Sequence, residues 1–439
     1  MTVASDASGL DAVRTRTTEL VFGEGADRVC KDIPESACNE QPRNLTTHLA
    51  SLTATKTGDG LLDPKLVLAW LLTALGAPTA AIGAIVPARE AFALLPQLFI
   101  AEPIRRLQRR KWVWAAAAVT QGLTVLAIAL VALTLDGGAA GWTIVGLIVL
   151  FGCARSAASV SYKDVLGKTV SKTRRGTVTG TATSLAAAAV LLFGIGLWAD
   201  VIPLTTTSIG IVLLVAGGLW IGAGVLFTTL AEDAGSTEGG RNGIGVVIGN
   251  LSTLWREPQL GRFVATRALL TVTAVAPPYI LSLTRSDDGG LGDLGPFVIA
   301  SSLATVVGGR LWGRLSDRSS RWVLIGSAVA SSVLFTVAAV GSGTGVLDRA
   351  WLAGAVLFLV VLAYQGVRLG RSTHLVDMAD EDERAVYTAV SNTVVGLAIL
   401  ATAVFGVLSD AIGLAWLFVV FAAMSATAVV TAWGLDEVQ

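Results

Sequence analysis

Long apolar stretches recur along almost the whole chain, and they constrain its fold more than any other feature. Only 15% of the 439 residues are charged and 53% are hydrophobic, whereas soluble domains carry about 25% charged residues. A helix of about 20 apolar residues crosses a bilayer core of roughly 30 Å, and the sequence lacks the sustained alternation of membrane strands. The sequence therefore predicts an all-α polytopic membrane protein.

The hydropathy pattern predicts about twelve transmembrane helices. We place them at 63–83, 85–104, 112–134, 142–162, 177–198, 207–230, 262–283, 295–312, 322–341, 350–371, 387–408 and 414–434. A polar tail with a short surface helix at 44–58 precedes them, since Leu45, Leu49 and Leu52 share one helical face. The predicted segments are a tail at 1–62, a six-helix half at 63–230, a linker at 231–261, a second half at 262–434 and a tail at 435–439.

Lysine and arginine are concentrated in alternate loops, which predicts the orientation. Basic residues fill the loops at 105–111, 163–175 and 314–321, whereas the intervening loops are mainly acidic. We therefore expect both termini on the cytoplasmic side of a bacterial inner membrane. Residues 1–43 hold no short apolar run behind a basic start, so we expect no cleaved signal peptide.

The second half of the chain repeats sequence features of the first half. The basic turn after the second predicted helix recurs after the eighth, and RRGTVTG at 174–180 is echoed by ERAVYTA at 383–389. Two parallel six-helix halves enclose a central site near the membrane midplane and rock against each other to alternate access. We therefore predict two pseudo-repeated halves.

The stretch GRLSDRSSR resembles the loop signature G-x-x-x-D-R-x-G-R-R of the major facilitator superfamily. The matching residues are Gly313, Asp317, Arg318 and Arg321. RRGTVTG is similar to the superfamily's turn before the fifth helix and contributes Arg175, whereas AEPIRRLQRR places Arg105 where an aspartate is usual. The resemblance implies the fold of that superfamily, and a conformational latch between this loop and the start of the fifth helix. The alternative is a basic loop that only sets topology.

Arg155 is the strongest single candidate for a functional residue. It lies in LIVLFGCARSAASV, about eight residues before Lys163, which places it roughly 12 Å inside the predicted fourth helix. A central arginine costs about 2.5–3.5 kcal/mol on insertion scales, and it does not lose its proton. Two interpretations remain. One is a site for an anion, a substrate carboxylate or a proton-relay partner, and the other is a structural ion pair between helices or snorkelling to the membrane surface.

The stretch AREAFALLPQ puts a second pair of charges inside a predicted span. Adjacent helical residues do not face each other, so we expect Arg89 and Glu90 to have different partners. Glu90 is the only carboxylate that the predicted spans hold away from both ends. It therefore suits proton coupling, and the alternative is a structural pair near the outer rim. Pro87 and Pro96 bracket the stretch and are expected to bend it.

Other polar residues lie on helices that line the cavity in the superfamily. They are Arg267, Tyr364, Gln365 and Arg368, with Gln97 and Asn392 on two further helices. We expect them to contribute to solute binding, and the alternative for each is hydrogen bonding between helices. Pro277 and Pro278 are expected to break the seventh helix.

The sequence offers little for metal or catalytic chemistry. Cys30, Cys38 and His48 are poorly spaced for zinc, so we interpret the thiols as reduced groups of a cytoplasmic tail. No P-loop, HExxH motif or nucleophile elbow occurs. We therefore expect no cofactor, no metal and no enzymatic activity. Net charge is zero, which gives no overall attraction to nucleic acid.

Together these features predict a secondary transporter. We expect a monomer among membrane lipids that moves a small anionic or carboxylate-bearing solute with protons. Arg155 and Arg89 would bind the solute and Glu90 would carry the proton. Two alternatives stay open: a drug or lysolipid exporter, and a membrane assembly factor or solute sensor that transports nothing.

Overall fold

A computed structural model describes residues 39–235, 249, 251–284, 294–316, 318–379 and 384–438, apart from the side chains at 172, 173, 384 and 385. This part of the chain is helical, without strands. Ten of its helices are long and apolar enough to cross a membrane, and a shorter apolar one spans Val386–Ala401. One further broken helix, at the start of the described chain, completes a bundle of twelve.

The first six helices form one half of the bundle. Their bounds are Gln41–Leu62 with Val67–Ala74 (α1), Thr79–Leu94 with Gln97–Arg105 (α2), Lys111–Thr134 (α3), Gly137–Thr169 (α4), Lys172–Trp198 (α5) and Thr206–Thr228 (α6). The second half begins after a single turn at Thr253–Arg256. Its first members are Pro258–Leu269 with Val272–Val275 and Pro277–Leu281 (α7), Leu294–Ser316 (α8), Ser320–Thr344 (α9) and Ala350–Met378 (α10).

The last two helices meet at a glycine. The helical run Val404–Trp433 contains one non-helical residue, Gly413, with φ of 80°. This left-handed conformation suits glycine, which has no Cβ, and it reverses the chain. Residues 404–412 therefore continue the helix Arg384–Ala401 (together α11), and residues 414–433 form α12.

The first helix differs from the sequence prediction. We expected a surface helix at 44–58 and a first span at 63–83, but α1 begins at Gln41 and packs against α5 and α6. Its polar residues are buried because neighbouring helices satisfy them: Asn44 exchanges two hydrogen bonds with the backbone of Ala231, and His48 bonds with Thr169. Hydropathy alone does not reveal such a helix.

Two helices in corresponding positions of the halves are interrupted. In α1 the break follows Leu62, and the Asp63 carboxylate accepts a hydrogen bond from the Lys65 amide at 2.8 Å. In α7 the helix stops after Leu269 and restarts at Val272, and a second restart at Pro277 confirms the predicted proline break. Interrupted helices in matching positions are typical of the solute site of transporters built from repeats.

The two ends of the bundle are distinguished by their loops. At the end that carries the basic loops, here called the basic end, Glu232 accepts hydrogen bonds from the Arg110 and Lys111 amides at 3.1 and 2.8 Å. The second half repeats this arrangement, because Glu437 after α12 accepts from Ser319 before α9 at 2.7 Å. The shared pattern matches the predicted pseudo-repeat.

The halves press together at the opposite end. A Cβ on Gly83 of α2 would lie 2.5 Å from the Gly406 backbone of α11. A Cβ on Gly295 of α8 would lie 2.6 Å from the backbone of Trp198 in α5. Such distances leave no room for a side chain, so the two halves are closed against each other at this end.

Candidate functional site

A chain of four charged side chains lies in the middle of the first half. Asp59 of α1 pairs through one carboxylate oxygen with Arg155 of α4 at 2.7 Å, and through the other with Arg89 of α2 at 2.7 Å. Arg89 also pairs with Glu90 at 2.8 Å. The chain Arg155–Asp59–Arg89–Glu90, here called the charge chain, thus links three helices.

Each member of the charge chain sits near the middle of its helix, where an uncompensated charge is most costly. The four side chains keep between 16% and 36% of their surface exposed, with Arg155 the most exposed. They are therefore not sealed in a core, and Arg155 lines an internal cavity of the first half. The two cations and two carboxylates balance in charge.

Two expectations about this site are wrong. Glu90 is not the only carboxylate within a span, because Asp59 lies in α1, which the sequence prediction placed outside the membrane. Arg89 and Glu90 also pair with each other rather than facing apart. The guanidinium is long enough to turn one nitrogen toward its neighbour and another toward Asp59, so adjacency on the helix did not prevent contact.

Additional cations surround the charge chain. Lys56 lies within electrostatic range of Arg155, Asp59 and Arg368, and Arg368 and Arg371 act likewise on Glu90. A cavity of about 160 Å³, lined by Lys56, Asp63 and Thr305 among others, lies where α1 and α5 meet α8. The described residues of this region hold more bases than acids.

Arg267 and Asn392, both predicted site residues, come together in the second half. The Arg267 guanidinium donates to the Ser391 hydroxyl and, at 3.2 Å, to the Asn392 side-chain oxygen. Neither partner carries a charge, and Arg371 lies within electrostatic range of Arg267. The pair therefore joins α7 to α11 and leaves the positive charge of Arg267 uncompensated by these two contacts.

Two predicted site residues lie on α10. Tyr364 contacts the first half of the bundle, and Gln365 contacts α8. The Lys65 ammonium lies 3.7 Å from the centroid of the Tyr364 ring, a cation–π contact between the halves. Gln365 donates to Thr305 of α8 at 3.0 Å and accepts from Arg368 at 3.2 Å. Tyr364 thus belongs to the centre of the bundle, and Gln365 joins two helices of the second half.

The comparison with known families decides the class of this bundle. The family model described as Major Facilitator Superfamily matches residues 54–399. The chain belongs to the major facilitator superfamily. Its fold of twelve helices in two halves is that of the superfamily, whose members move small solutes across membranes.

Sequence relatives occur in mycobacteria. "Uncharacterized protein Rv2209" of Mycobacterium tuberculosis (strain ATCC 25618 / H37Rv) is 25% identical over 288 residues, which cover 63% of this chain and 55% of the relative. "Uncharacterized protein Mb2232" of Mycobacterium bovis matches to the same extent. The chain spans about half the length of these curated relatives.

Solved structures of superfamily transporters share the fold. A point mutant of the nucleoside transporter NupG is 14% identical and superposes with a TM-score of 0.68 over 89% of this chain and 99% of its own. A partially occluded inward-open structure of the xylose transporter XylE from E. coli is 12% identical, with a TM-score of 0.66 over 90% and 98%. At these identities the likeness shows the fold alone.

Among the described residues of the predicted latch, Arg175 and Arg321 each contact a different helix end. Arg175 donates to the Val170 and Gly167 carbonyls at the end of α4, and Arg321 donates to the Trp433 carbonyl at the end of α12. Arg318 is exposed, a Cβ on Gly313 would meet open space, and Asp317 lies outside the described residues. A latch that forms in another access state stays a prediction.

The remaining described candidates, Gln97 and His48, contact only neighbouring protein groups. Gln97 donates to the Ala93 carbonyl of its own helix at 2.8 Å. His48 is buried between Tyr162 and Phe227, while Cys30 and Cys38 lie outside the described residues. Within the described chain, no group of three or more His, Cys, Asp or Glu residues is placed to hold a metal.

Sequence reasoning missed the contribution of α1, which supplies Lys56, Asp59, Asp63 and Lys65. A signal for it is present in KTGDGLLDPK. Asp-Pro favours the start of a helix, with aspartate as cap and proline in the first turn. Two leucines precede that dipeptide and an apolar run at 66–72 follows it, which fits a helix broken inside a membrane.

Proposed function

We propose that this protein is a proton-coupled secondary transporter of a small anionic solute. The observation that carries the proposal is the charge chain, because it places a partly exposed arginine and two carboxylates at the centre of a superfamily fold. Charged residues at this depth are costly and mark solute or proton pathways.

The sign of the solute follows from the surrounding charges. Arg267, Lys65, Arg368 and Lys56 add positive charge around the balanced charge chain. An anion entering this region compensates that excess, whereas a cation adds to it. We therefore assign the anion-binding role to Arg155. Arg89 is less available to a solute because it already pairs with two carboxylates, Asp59 and Glu90.

Proton coupling follows from competition within the charge chain. An anion that pairs with Arg155 displaces the Asp59 carboxylate, which then keeps Arg89 as its one remaining ion-pair partner among the described residues. Arg89 at that point has two carboxylates to compensate, Asp59 and Glu90. Protonation of Glu90 relieves this excess of negative charge, so anion and proton bind together.

The orientation and setting complete the proposal. We infer from the positive charge of the basic loops that this end of the bundle faces the cytoplasm, in a bacterial inner membrane. The closure at Gly83 and Gly406 would then lie on the outer side. The site would alternate between the two sides as the halves rock. We propose that the protein works as a monomer without a cofactor.

Flux into proteoliposomes tests the proposal. A panel of radiolabelled organic acids, sugars, nucleosides and amines would be screened with an inward proton gradient, in wild type and in Arg155→Gln. We expect an acid to accumulate only with the gradient, and at least tenfold more slowly in Arg155→Gln. Gradient-independent uptake, or uptake of a neutral solute that ignores Arg155, would overturn the proposal.

A further inference from the structure

Three arginines follow one another along one side of α8. Arg310 and Arg314 lie on the helix and Arg318 lies just beyond its end, each four residues from the next. Residues four apart are neighbours on a helix surface, and all three side chains are exposed. They border one groove of about 470 Å³, together with the exposed residues Val306, Val307, Leu311 and Leu315. We call this surface the arginine face.

The arginine face points away from the other helices. Gly308 and Trp312 lie on the side of α8 that packs against α10. A Cβ on Gly308 would lie 2.8 Å from Gln365, and Trp312 Nε1 donates to the Leu362 carbonyl at 2.7 Å. Arg310 and Arg314 follow these two residues by two positions, which turns the helix by about 200°. An exposed face on that side of a membrane-spanning bundle meets lipid.

This surface extends from the end of α8 into its apolar part. Arg318 belongs to the turn after the helix, at the basic end. Arg310 lies eight residues earlier, or about 12 Å deeper, where a charge that faces lipid is costly. Arginine does not escape this cost by losing its proton. Its long side chain instead reaches toward the membrane surface, which brings the guanidinium groups toward the level of the lipid phosphates.

The described part of the chain supplies no counter-charge to the arginine face. None of the three guanidinium groups forms an ion pair or a hydrogen bond with another described residue, and Asp317 lies outside the described residues. Arg89 and Arg155 within the bundle, by contrast, each pair with a carboxylate. The surrounding membrane is therefore the natural source of an anion for this surface.

Phospholipids with acidic headgroups match both the charge and the apolar surface of the arginine face. Clusters of basic residues at the ends of membrane helices attract anionic lipids, and basic pockets bind headgroups such as that of cardiolipin. The planar guanidinium group donates two parallel hydrogen bonds to a phosphate. Three cations spread over about 12 Å match two phosphates better than one, and the valines and leucines between them offer contacts to acyl chains.

We propose that the arginine face binds an anionic phospholipid of the surrounding bilayer whose headgroup carries two phosphates, as in cardiolipin. The phosphates pair with the three arginines, and the acyl chains lie along the exposed valines and leucines. This site is separate from the proposed solute site, since it lies on the outer side of α8. Arg318 is also a residue of the predicted latch, so the variants that test the site change Arg310 and Arg314.

Native mass spectrometry of the purified full chain, released from a neutral detergent, tests the inference. The probes are cardiolipin, phosphatidylglycerol and phosphatidylcholine, all with oleoyl chains. We expect cardiolipin to bind at least tenfold more tightly than phosphatidylcholine, with phosphatidylglycerol between them. Each of Arg310→Gln and Arg314→Gln should weaken cardiolipin binding about fivefold, and the double variant about 25-fold, because each basic residue near the surface contributes a similar attraction.

Arg109→Gln is the matched control. Arg109 is exposed in the loop between α2 and α3 at the basic end, so this variant loses the same charge from the same end of the protein. It should leave cardiolipin binding unchanged. Arg314→Lys keeps the charge and should retain more affinity than Arg314→Gln. Thermal melting of each variant shows whether it folds.

Several results would contradict the inference. Equal affinities for cardiolipin and phosphatidylcholine, or equal losses in Arg314→Gln and Arg109→Gln, would overturn it. Equal affinities for cardiolipin and phosphatidylglycerol would overturn the assignment of two phosphates. Displacement of cardiolipin by inorganic phosphate would show a site for a soluble anion instead of a lipid. The proposed function is tested separately, by flux in Arg155→Gln, so either proposal can fail without the other.

Discussion

The Asp59 carboxylate pairs with the Arg155 guanidinium at 2.7 Å and thereby joins α1 to α4. Arg155 is thus compensated by the protein itself before any solute arrives. In the proposed function an anionic solute displaces Asp59, and the return of Asp59 then helps to release the solute. The pair would act as a switch between a filled and an empty site, rather than as a fixed structural bridge.

The substitution Asp59→Asn is therefore predicted to tighten anion binding and to slow transport. Loss of the competing carboxylate frees Arg155, and a gain of about 1.4 kcal/mol corresponds to tenfold in affinity. Turnover falls because Asp59 no longer returns to Arg155 to eject the solute. Calorimetry with the acid found in the flux screen measures the first effect, and exchange in proteoliposomes measures the second.

Asp164→Asn provides the control for Asp59→Asn. Asp164 pairs with Lys168 at 2.9 Å and with Arg110 at the basic end, remote from the charge chain. It should lower the melting temperature and leave the anion affinity unchanged. Weaker anion binding in Asp59→Asn, as in Arg155→Gln, would show that Asp59 supports the site rather than competing with the solute.

Glu90 is predicted to make anion affinity depend on pH. If one proton enters with each anion, the dissociation constant falls about tenfold for each unit that the pH falls, as long as the coupling carboxyl is ionised in the empty protein. In Glu90→Gln the group no longer titrates and the slope should vanish. Calorimetry between pH 5.5 and 8 measures the slope. A slope that persists in Glu90→Gln and vanishes in Asp59→Asn would move the coupling to Asp59.

The sequence predicted most of the bundle but only part of the site. Apolar runs marked the spans from α3 to α12, and Gly413 falls just before the predicted start of the last helix at 414. Arg89, Glu90 and Arg155 were found because a charge inside an apolar run contrasts with its surroundings. In α1 that contrast is absent because polar residues recur along the helix. The fold tolerates them because Ala231, Thr169 and other groups distant in sequence satisfy their hydrogen bonds.

Packing between the halves was equally hidden from the sequence. Nothing local shows that Gly83 faces Gly406, because the contact depends on how the two halves meet. The same holds for Lys65 and Tyr364, which no helical periodicity connects. Pairings of this kind depend on tertiary geometry, and a single sequence carries no record of them.

Stability at the basic end is predicted to depend strongly on Glu232. Its side chain is fully buried, lies 3.4 Å from Lys168 and accepts from two amides at the start of α3. Glu232→Ala leaves the two amides without their acceptor, at a cost of about 1–3 kcal/mol for each unpaired group, while Lys168 keeps its pair with Asp164. Glu102→Ala, which breaks a largely exposed pair with Arg106, should cost under about 1 kcal/mol. Thermal melting in detergent compares them, and equal effects would contradict the assignment.

Gly83→Val is predicted to open the end of the bundle opposite the basic loops. A Cβ at this position lies 2.5 Å from the Gly406 backbone and 3.0 Å from the Tyr279 hydroxyl, so a valine forces α2 and α11 apart. Spin labels at Thr134 and Val346, both exposed near this end in opposite halves, should show a longer distance by pulsed electron resonance. Gly146→Val is the control, because a Cβ there meets nothing within 4 Å. An unchanged distance in Gly83→Val, in a protein that still binds its solute, would show that this contact does not hold the outer end closed.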